Sequence, residues 1–177
     1  MRAVIQRVTS ASVSVDGQVI SEISRGIVYD TESDVSILTN KLLSLRMFPD
    51  LTDSPKMWKS NVKDVDGDIL CVSQFTLMAQ TKNGNKPDFH NAMSAKQSRF
   101  LYETFLETLR QSYKPDKIQD GRFGAMMNVS LVNEGPVTFV LDSRKFEYTL
   151  DAAPGSTKPP KNQTSGDSIA HDRGNAS

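Results

Sequence analysis

Hydrophobic and polar positions alternate in the first part of the chain, as half-buried β-strands require. Residues 11–15 alternate Ala or Val with Ser, and Asp16-Gly17 separates them from a second apolar run at 18–23. Asp-Gly between two such runs is a strong signal for a two-residue hairpin. Residues 1–8 predict a preceding strand, so the chain should begin with β-structure.

Two later segments have helical spacing. Three leucines fall on one face of residues 36–48, which Pro49 should end. A second helix should begin at Ser94, because Ser94-Ala95-Lys96-Gln97 matches a capping box, and should end near Tyr113. Its apolar face is predicted to consist of Leu101, Tyr102, Phe105, Leu106 and Leu109.

The remaining apolar runs, at 69–77, 124–132 and 137–141, predict further strands. Strands, helix, strand, helix and strands in this order favour an α/β fold of the α+β type, with a mixed, barrel-like sheet and two main helices. The Gly-rich fingerprint of dinucleotide-binding folds is missing from the sequence, and so is the phosphate-binding loop with its lysine.

The 177 residues, 37% of them hydrophobic, suffice for one domain with a core. Composition turns polar after about residue 150, so we predict a single domain at 1–150 and a disordered polar tail at 151–177. No apolar run is long enough for a bilayer span, and the start does not resemble a secretory signal. These features and the single cysteine predict a cytoplasmic protein without membrane contact.

The formal net charge is zero, which argues against tight, sequence-independent binding to long nucleic acid. A local basic patch is still possible. Residues 82–90 combine two lysines with Phe89 and His90, a composition suited to the end of a single-stranded RNA. A solvated surface loop explains them equally well. Residues 64–68 resemble part of a calcium loop but lack its closing glutamate, and we predict a turn there.

Ser73-Gln74-Phe75-Thr76 lies where an apolar run stops. Ser and Thr hydroxyls need a base to become nucleophiles, and outside the tail His90 is the only histidine. We therefore expect Ser73 or Thr76 to position a substrate, while the amides of Phe75 and Thr76 hold a carbonyl oxygen. A strand end whose hydroxyls cap a turn is the simpler alternative.

Gly135-Pro136 lies between two apolar runs, and a plain turn would account for it. A functional role needs a cis bond, which only about 5–6% of X-Pro bonds in folded proteins adopt. Gly135 would let the backbone approach a ligand closely, and a rigid pair of carbonyls could exclude one substituent of a tetrahedral carbon. Arg7, inside an apolar strand, needs a polar partner and is a candidate brace for this loop.

Residues 120–127 place Phe123 and Met126 beside two glycines. This stretch predicts either a strand entry with a bulge or a small-walled pocket for an adenine ring. No cluster of metal-ligating residues is apparent, so we predict neither a metal nor a cofactor.

Five segments in order, at 1–8, 73–77, 85–89, 121–125 and 133–138, resemble those of the D-aminoacyl-tRNA deacylases, and the resemblance covers about residues 1–143. It implies hydrolysis of the ester between a D-amino acid, or misplaced glycine, and the 3′ end of tRNA. It also implies a metal-free homodimer in which each subunit offers a cis Gly135-Pro136 to the partner's pocket to exclude L-amino acids.

The resemblance further assigns the residues their roles. Ser73 to Thr76 correspond to the family's Ser-Gln-Phe-Thr motif, and Arg7 to the arginine that steadies the Gly-Pro loop. Thr76 matches a threonine once proposed as the nucleophile. A ribose 2′-hydroxyl that assists the reaction, with protein amides holding the substrate, fits the lack of a base better.

One departure from the family pattern follows Ile27, where the chain is several residues shorter. A truncated central strand is expected there, with unpaired ladder groups that would cost about 1–3 kcal/mol each if buried. Two other functions are considered: a nucleic-acid-binding paralogue without deacylase activity, and a serine or threonine esterase that uses His90 as its base.

Overall fold

The described part of the chain, residues 2–31, 35–52 and 56–143, forms a six-stranded mixed sheet with two helices in this computed structural model. The strands are β1 Arg2–Val15, β2 Gln18–Ile23, β3 Gly26–Thr31, β4 Asp68–Val72, β5 Ile118–Asp120 and β6 Asn128–Asp142, and the helices are α1 Val35–Ser44 and α2 Ala95–Ser112. The predicted mixed sheet with two main helices is confirmed. The predicted tail, 151–177, lies outside the described residues.

The sheet has the order β2-β1-β3-β4-β5, with β6 paired to β1 off this path. Asp16 and Gly17 connect β1 to β2 with φ values of 51° and 78°, as the predicted hairpin turn requires. β3, β4 and β5 run parallel to one another. The sheet is curved so that its two end strands, β2 and β5, approach each other, and the Ser21 hydroxyl of β2 donates to the Asp120 carbonyl of β5. The predicted barrel-like sheet is therefore confirmed as a nearly closed one.

Alternate residues of the strands face two separate cores. Ile69 and Cys71 of β4 join the cluster that contains α1 and α2, whereas Leu70 and Val72 join a cluster built from strands alone. Both faces of β4 are therefore buried, which explains its continuous apolar sequence. Since the helices pack on one face only, the predicted one-sided arrangement of helices is confirmed.

The predicted strand boundaries were wrong at two places. The strand predicted at 69–77 ends at Val72, and Phe75–Met78 form a 3₁₀ turn instead. The two strands predicted at 124–132 and 137–141 are one strand, β6, that pairs with β1 along its length. The pairing continues from Asn133 to Thr138 because the intervening residues bulge outward without ending the ladder.

The expected unpaired ladder groups are not found along β3 in the described part of the chain. β3 has six residues and pairs antiparallel with residues 3–8 of β1. Its other edge pairs in parallel with β4 from Gly26 to Asp30. The shorter segment after Ile27 therefore leaves a strand long enough to fill the ladder between its two neighbours.

The first helix ends at Ser44, earlier than the predicted residue 48, because the backbone of Phe48 pairs with Ser60 instead of continuing the helix. The second helix has its predicted limits, with Ser94 at the N-cap and Tyr113 at the C-cap. The Ser94 hydroxyl, however, donates to the side chain of Gln97 at 2.8 Å and makes no cap bond to the backbone. Of the predicted apolar face, Tyr102, Phe105, Leu106 and Leu109 are buried.

Candidate functional site

Ser73, Gln74, Phe75 and Thr76 line one cavity of about 670 Å³. They follow β4 directly, so the end of a buried strand fixes where they lie. The opposite walls come from the segment between β5 and β6 and from the start of α2. The lining includes the predicted residues Phe123 and Met126, and it also includes Ala92, Met93, Ala95, Ser98, Gly124, Ala125, Met127 and Val129.

The 3₁₀ turn presents its first amides near the cavity. The first N–H groups of a helix have no partner within it, and the side chain of Gln74 does not cap this one. Instead, the Gln74 amide group donates to the Thr76 hydroxyl. The side chain of Thr76 is thus already hydrogen-bonded, and Phe75 and Thr76 are the first two residues of the turn that lines the cavity.

Phe89, a predicted site residue, does not line the cavity but packs against a residue that does. Its ring meets that of Phe75 edge-on, with centroids 5.1 Å apart. His90, the candidate base, also lies away from the lining, where its Nδ1 is 2.5 Å from a carboxylate oxygen of Asp88. Hydrogen bonds from the amide and the ring of His90 lower the pKa of Asp88. Within the described part of the chain, no histidine lines the cavity.

Arg7, Gly135 and Pro136 form a second group of predicted residues. The bond between Gly135 and Pro136 is cis, as the functional interpretation required. Between the pairs Gln6–Thr138 and Val8–Asn133, the four residues 134–137 of β6 face the single residue Arg7 of β1. The Asn133 side chain donates to the Thr138 hydroxyl at 3.0 Å and so closes the base of this bulge.

Arg7 is buried, with 4% of its surface exposed, and it contacts the bulge at Glu134 and Gly135. Its Nη1 donates to the Met47 carbonyl at 2.6 Å. Its Nε lies 3.0 Å from a carboxylate oxygen of Glu134, an ion pair whose geometry is not that of a hydrogen bond. A Cβ atom on Gly135 would meet Nη2 of Arg7 at 3.1 Å and Cγ2 of Val137 at 2.8 Å. Arg7 therefore has the contacts expected of a brace.

The two groups do not meet within one chain. Neither Gly135 nor Pro136 lines the cavity, although Val129 of the same strand does. Gly135 lies six positions after Val129 along the strand, a rise of about 20 Å. A single chain therefore provides the cavity and the Gly-Pro bulge at distant points of β6.

Several residues at these sites were not predicted. Arg99 of α2 stacks its guanidinium over Phe123, 4.7 Å from the ring centroid, and thus supports one cavity wall. Glu134 and the Met47 carbonyl partner Arg7. The small residues Ala92, Ala95 and Ser98 recur every third position around the predicted N-cap, which could have indicated a close approach there.

A charged cluster occupies the opposite end of β4. Lys114 forms an ion pair with Asp66, and Lys117 forms one with Asp68. Residues 62–66 form a turn, so the prediction of a turn in this segment is confirmed. The hydrogen bond and charge of Lys114 lower the pKa of Asp66, and Asp68 raises that of Lys117. Burial and the neighbouring carboxylates raise the pKa of Tyr113 to about 12.

Among the residues that the structure describes, none of the acidic, cysteine and histidine side chains group in threes suited to a metal ion. Within the same residues, neither α1 nor α2 is long and apolar enough to cross a membrane.

Comparison with known proteins identifies relatives that cover most of the chain. A family model described as D-Tyr-tRNA(Tyr) deacylase matches residues 4–142. The D-aminoacyl-tRNA deacylase of Candida glabrata is 49% identical over an alignment of 150 residues, and the match covers 81% of this chain and 99% of that protein. The solved structure of c-Myc DNA Unwinding Element Binding Protein is 48% identical, with a TM-score of 0.76 over 81% of this chain and 99% of that one.

A second solved structure supports the fold alone. It is described as a probable eukaryotic D-amino acid tRNA deacylase and is 17% identical, with a TM-score of 0.66. The match covers 79% of this chain and 97% of that one.

Proposed function

The chain belongs to the D-Tyr-tRNA(Tyr) deacylase family, and on that premise we propose that it hydrolyses the ester of D-aminoacyl-tRNA, with release of the D-amino acid and tRNA. The observation that carries the proposal is the cavity that joins Ser73–Thr76 to Phe123 and Met126. It brings together, in one place, segments that are far apart in the sequence.

The chemistry is attack of water on the ester carbonyl carbon. The amides of Phe75 and Thr76 hold the oxyanion of the tetrahedral intermediate, and each such donor contributes about 100- to 1,000-fold in rate. The intermediate then expels the ribose oxygen, which takes up a proton. The 2′-hydroxyl of the terminal ribose assists the reaction, consistent with a lining that offers no histidine as base. Phe123 and Met126 enclose the terminal adenine.

Selection of the D-form comes from Gly135 and Pro136 of a second copy of the chain. Within one chain the bulge lies about 20 Å along β6 from Val129, which lines the cavity, and this separation supports action on the cavity of a second copy. In a homodimer it would enter the partner's cavity and crowd the position of an L side chain. Such selectivity works by exclusion, which discriminates even where affinity for the correct substrate is modest.

The direct test compares D-Tyr-tRNA with L-Tyr-tRNA as substrates of the purified protein. Rapid release of D-tyrosine with little release of L-tyrosine is expected. Equal cleavage of both would contradict chiral selection. Binding of DNA without any deacylation would instead favour a nucleic-acid-binding paralogue. We also expect the enzyme in the cytoplasm, where its charged tRNA substrate is used.

A mixing experiment tests whether the bulge acts between subunits. Gly135→Ala should weaken chiral selection, whereas Ala125→Trp should fill the cavity and abolish activity. After subunit exchange with an excess of Ala125→Trp chains, every active Gly135→Ala cavity would face an intact bulge. The mixture should then cleave D-Tyr-tRNA but no longer cleave L-Tyr-tRNA. Unchanged cleavage of the L-substrate would mean that the bulge acts within its own chain.

A further inference from the structure

Residues 81–87 form a loop with a fixed base, here called the lysine loop. The backbones of Gln80 and Asp88 exchange two hydrogen bonds, of 2.8 and 2.9 Å, which hold the two ends of the loop together. Gly84, at its tip, has a φ of 130°, and a Cβ atom there would meet nothing within 4 Å. The loop therefore projects into solvent from a base that is anchored by backbone hydrogen bonds.

The charges of this loop are not compensated by the protein. Lys82 and Lys86 each lie two residues from the paired base, at equivalent positions of the two arms. Neither forms an ion pair with any described residue. The nearest acid in sequence, Asp88, already accepts hydrogen bonds from the amide and ring of His90. Both lysine side chains are exposed, so they are available to an anion.

The lysine loop is close in sequence to a residue, Phe89, whose ring packs against the cavity lining. Phe89 follows Asp88, and its ring packs edge-on against Phe75, which lines the cavity. The last residue of the lysine loop, Pro87, thus lies two positions before Phe89, whose ring contacts the residue that supplies a proposed oxyanion amide.

Among the residues that the structure describes, none of those lining the cavity has a charged side chain. It can enclose an aminoacyl group and a base, but it offers no cation for the phosphates that precede the terminal nucleoside. Those phosphates must meet positive charge outside the cavity. Residues 79–99, which border it, carry four lysines and arginines and a single acid, although the whole chain is neutral. This local excess is where a polyanion would be bound.

We propose that the lysine loop binds backbone phosphates of the single-stranded 3′ end of the tRNA, with Lys82 and Lys86 as the contacts. The proposal rests on the proposed function. It adds a binding site for the part of the tRNA that lies outside the cavity. Binding of the phosphates would orient the strand so that its last nucleotide enters between Phe75 and Phe123.

The test uses the Lys82→Gln/Lys86→Gln variant with two substrates. D-Tyr-tRNA carries the upstream phosphates, whereas D-tyrosyl-adenosine, the terminal nucleoside alone, does not. The variant should lose activity on D-Tyr-tRNA through a higher KM at unchanged kcat, and it should match wild type on D-tyrosyl-adenosine. Lys59→Gln/Lys63→Gln, which removes the same charge from exposed lysines elsewhere, should match wild type on both substrates.

Salt dependence supplies a second readout. Loss of two contacts to single-stranded RNA reduces the slope of log affinity against log salt by about 1.4, so the advantage of wild type over the variant should shrink by about sevenfold between roughly 50 and 200 mM salt. Binding of uncharged tRNA measures this without catalysis. A protein that cleaves neither substrate would refute the proposed function, while the tRNA-binding comparison would still decide the role of the loop.

Two results would overturn the inference. Equal binding of tRNA by wild type and the lysine-loop variant would show that the lysines do not meet phosphate. An equal loss of activity on D-Tyr-tRNA and D-tyrosyl-adenosine would show that the loop acts through Phe89 and the cavity rather than on the RNA backbone.

Discussion

The guanidinium of Arg7 lies against Gly135, so close that a Cβ atom on the glycine would stand 3.1 Å from Nη2. Arg7 is in turn held by the Met47 carbonyl and by Glu134, which directly precedes Gly135. The position of the Gly-Pro bulge is therefore set by a buried cation as well as by the backbone. This arrangement makes the bulge sensitive to changes on either side of the contact.

Gly135→Ala should destabilise the protein and weaken chiral selection. Its φ of 118° strains an L side chain, and the new Cβ would also meet Cγ2 of Val137 at 2.8 Å. We expect a loss of about 1–3 kcal/mol in the free energy of unfolding and a roughly tenfold or greater loss in the D/L rate ratio, equivalent to about 1.4 kcal/mol. Urea unfolding and parallel rate measurements would check both.

Gly17→Ala is the matched control, since its φ is also positive at 78° but a Cβ atom would meet nothing within 4 Å. It should lower stability through backbone strain alone and leave the D/L ratio intact. A Gly135→Ala protein with normal selectivity would contradict the role given to the bulge.

Arg7→Lys should be destabilising although it keeps the charge. A lysine cannot reach the Met47 carbonyl and Glu134 from a planar, forked group, so one buried partner would be left unsatisfied at about 1–3 kcal/mol. A double-mutant cycle of Arg7→Met with Glu134→Gln should give a coupling of about 0.5–3 kcal/mol. Additive effects in the cycle would mean that the 3.0 Å approach between the two groups carries no energy.

Thr76→Ala should lower kcat by less than about tenfold. The hydroxyl already accepts a hydrogen bond from the Gln74 side chain, and no histidine among the described residues lines the cavity to activate it. Loss of a true nucleophile typically costs far more, about 10⁴-fold or above. Single-turnover hydrolysis of D-Tyr-tRNA distinguishes the two, with His90→Ala as a companion variant that should also retain most activity. A decrease in kcat of many thousandfold in either variant would instead favour a serine or threonine esterase that uses His90 as its base.

Stability should fall as the pH rises from about 10 to 12. Burial and nearby carboxylates raise the pKa of Tyr113 to about 12 in the folded protein, from its ordinary value of 10.0. A raised folded pKa gives stability that is complete below the unfolded value and is lost as pH rises towards the folded one. Two pH units correspond to about 2.7 kcal/mol, which we reduce to about 1 kcal/mol because the ring is partly exposed.

The matching variant is Tyr113→Phe, which removes the ionisable hydroxyl together with its 2.9 Å hydrogen bond to the Gly67 carbonyl. It should start less stable at pH 9 and lose less on transfer to pH 11. Lys117, whose pKa is also raised by Asp68, remains in both proteins. Identical losses in wild type and variant would exclude Tyr113 as a source.

The parts of the fold that follow from local rules were predictable. Asp16-Gly17 needs only backbone preferences to make a hairpin, and the apolar face of α2 needs only its helical period. The limits of β4 and β6 were not predictable in this way. Leu77 continues an apolar pattern, yet the chain leaves the sheet at Ser73, because tertiary packing rather than alternation decides where a ladder stops.

The candidate site also has a part that could be predicted from the sequence and a part that could not. Ser73–Thr76, Phe123 and Met126 were expected at a site from their segments, and they do meet in one cavity. The separation of Gly135 from that cavity could not be read from the sequence, because it depends on β6 being one continuous strand. Nor could the partners of Arg7: the Met47 carbonyl is a backbone atom, which no residue type reveals.

Because Val129 and Gly135 belong to the same uninterrupted strand, the number of residues between them sets the spacing of cavity wall and bulge. Deletion of one residue from 130–132 would shorten that spacing by about 3.4 Å and would turn every following side chain to the opposite face of the sheet. In a two-fold assembly the same error would be repeated in both halves. The chain is thus expected to tolerate substitutions in this stretch far better than any change in its length.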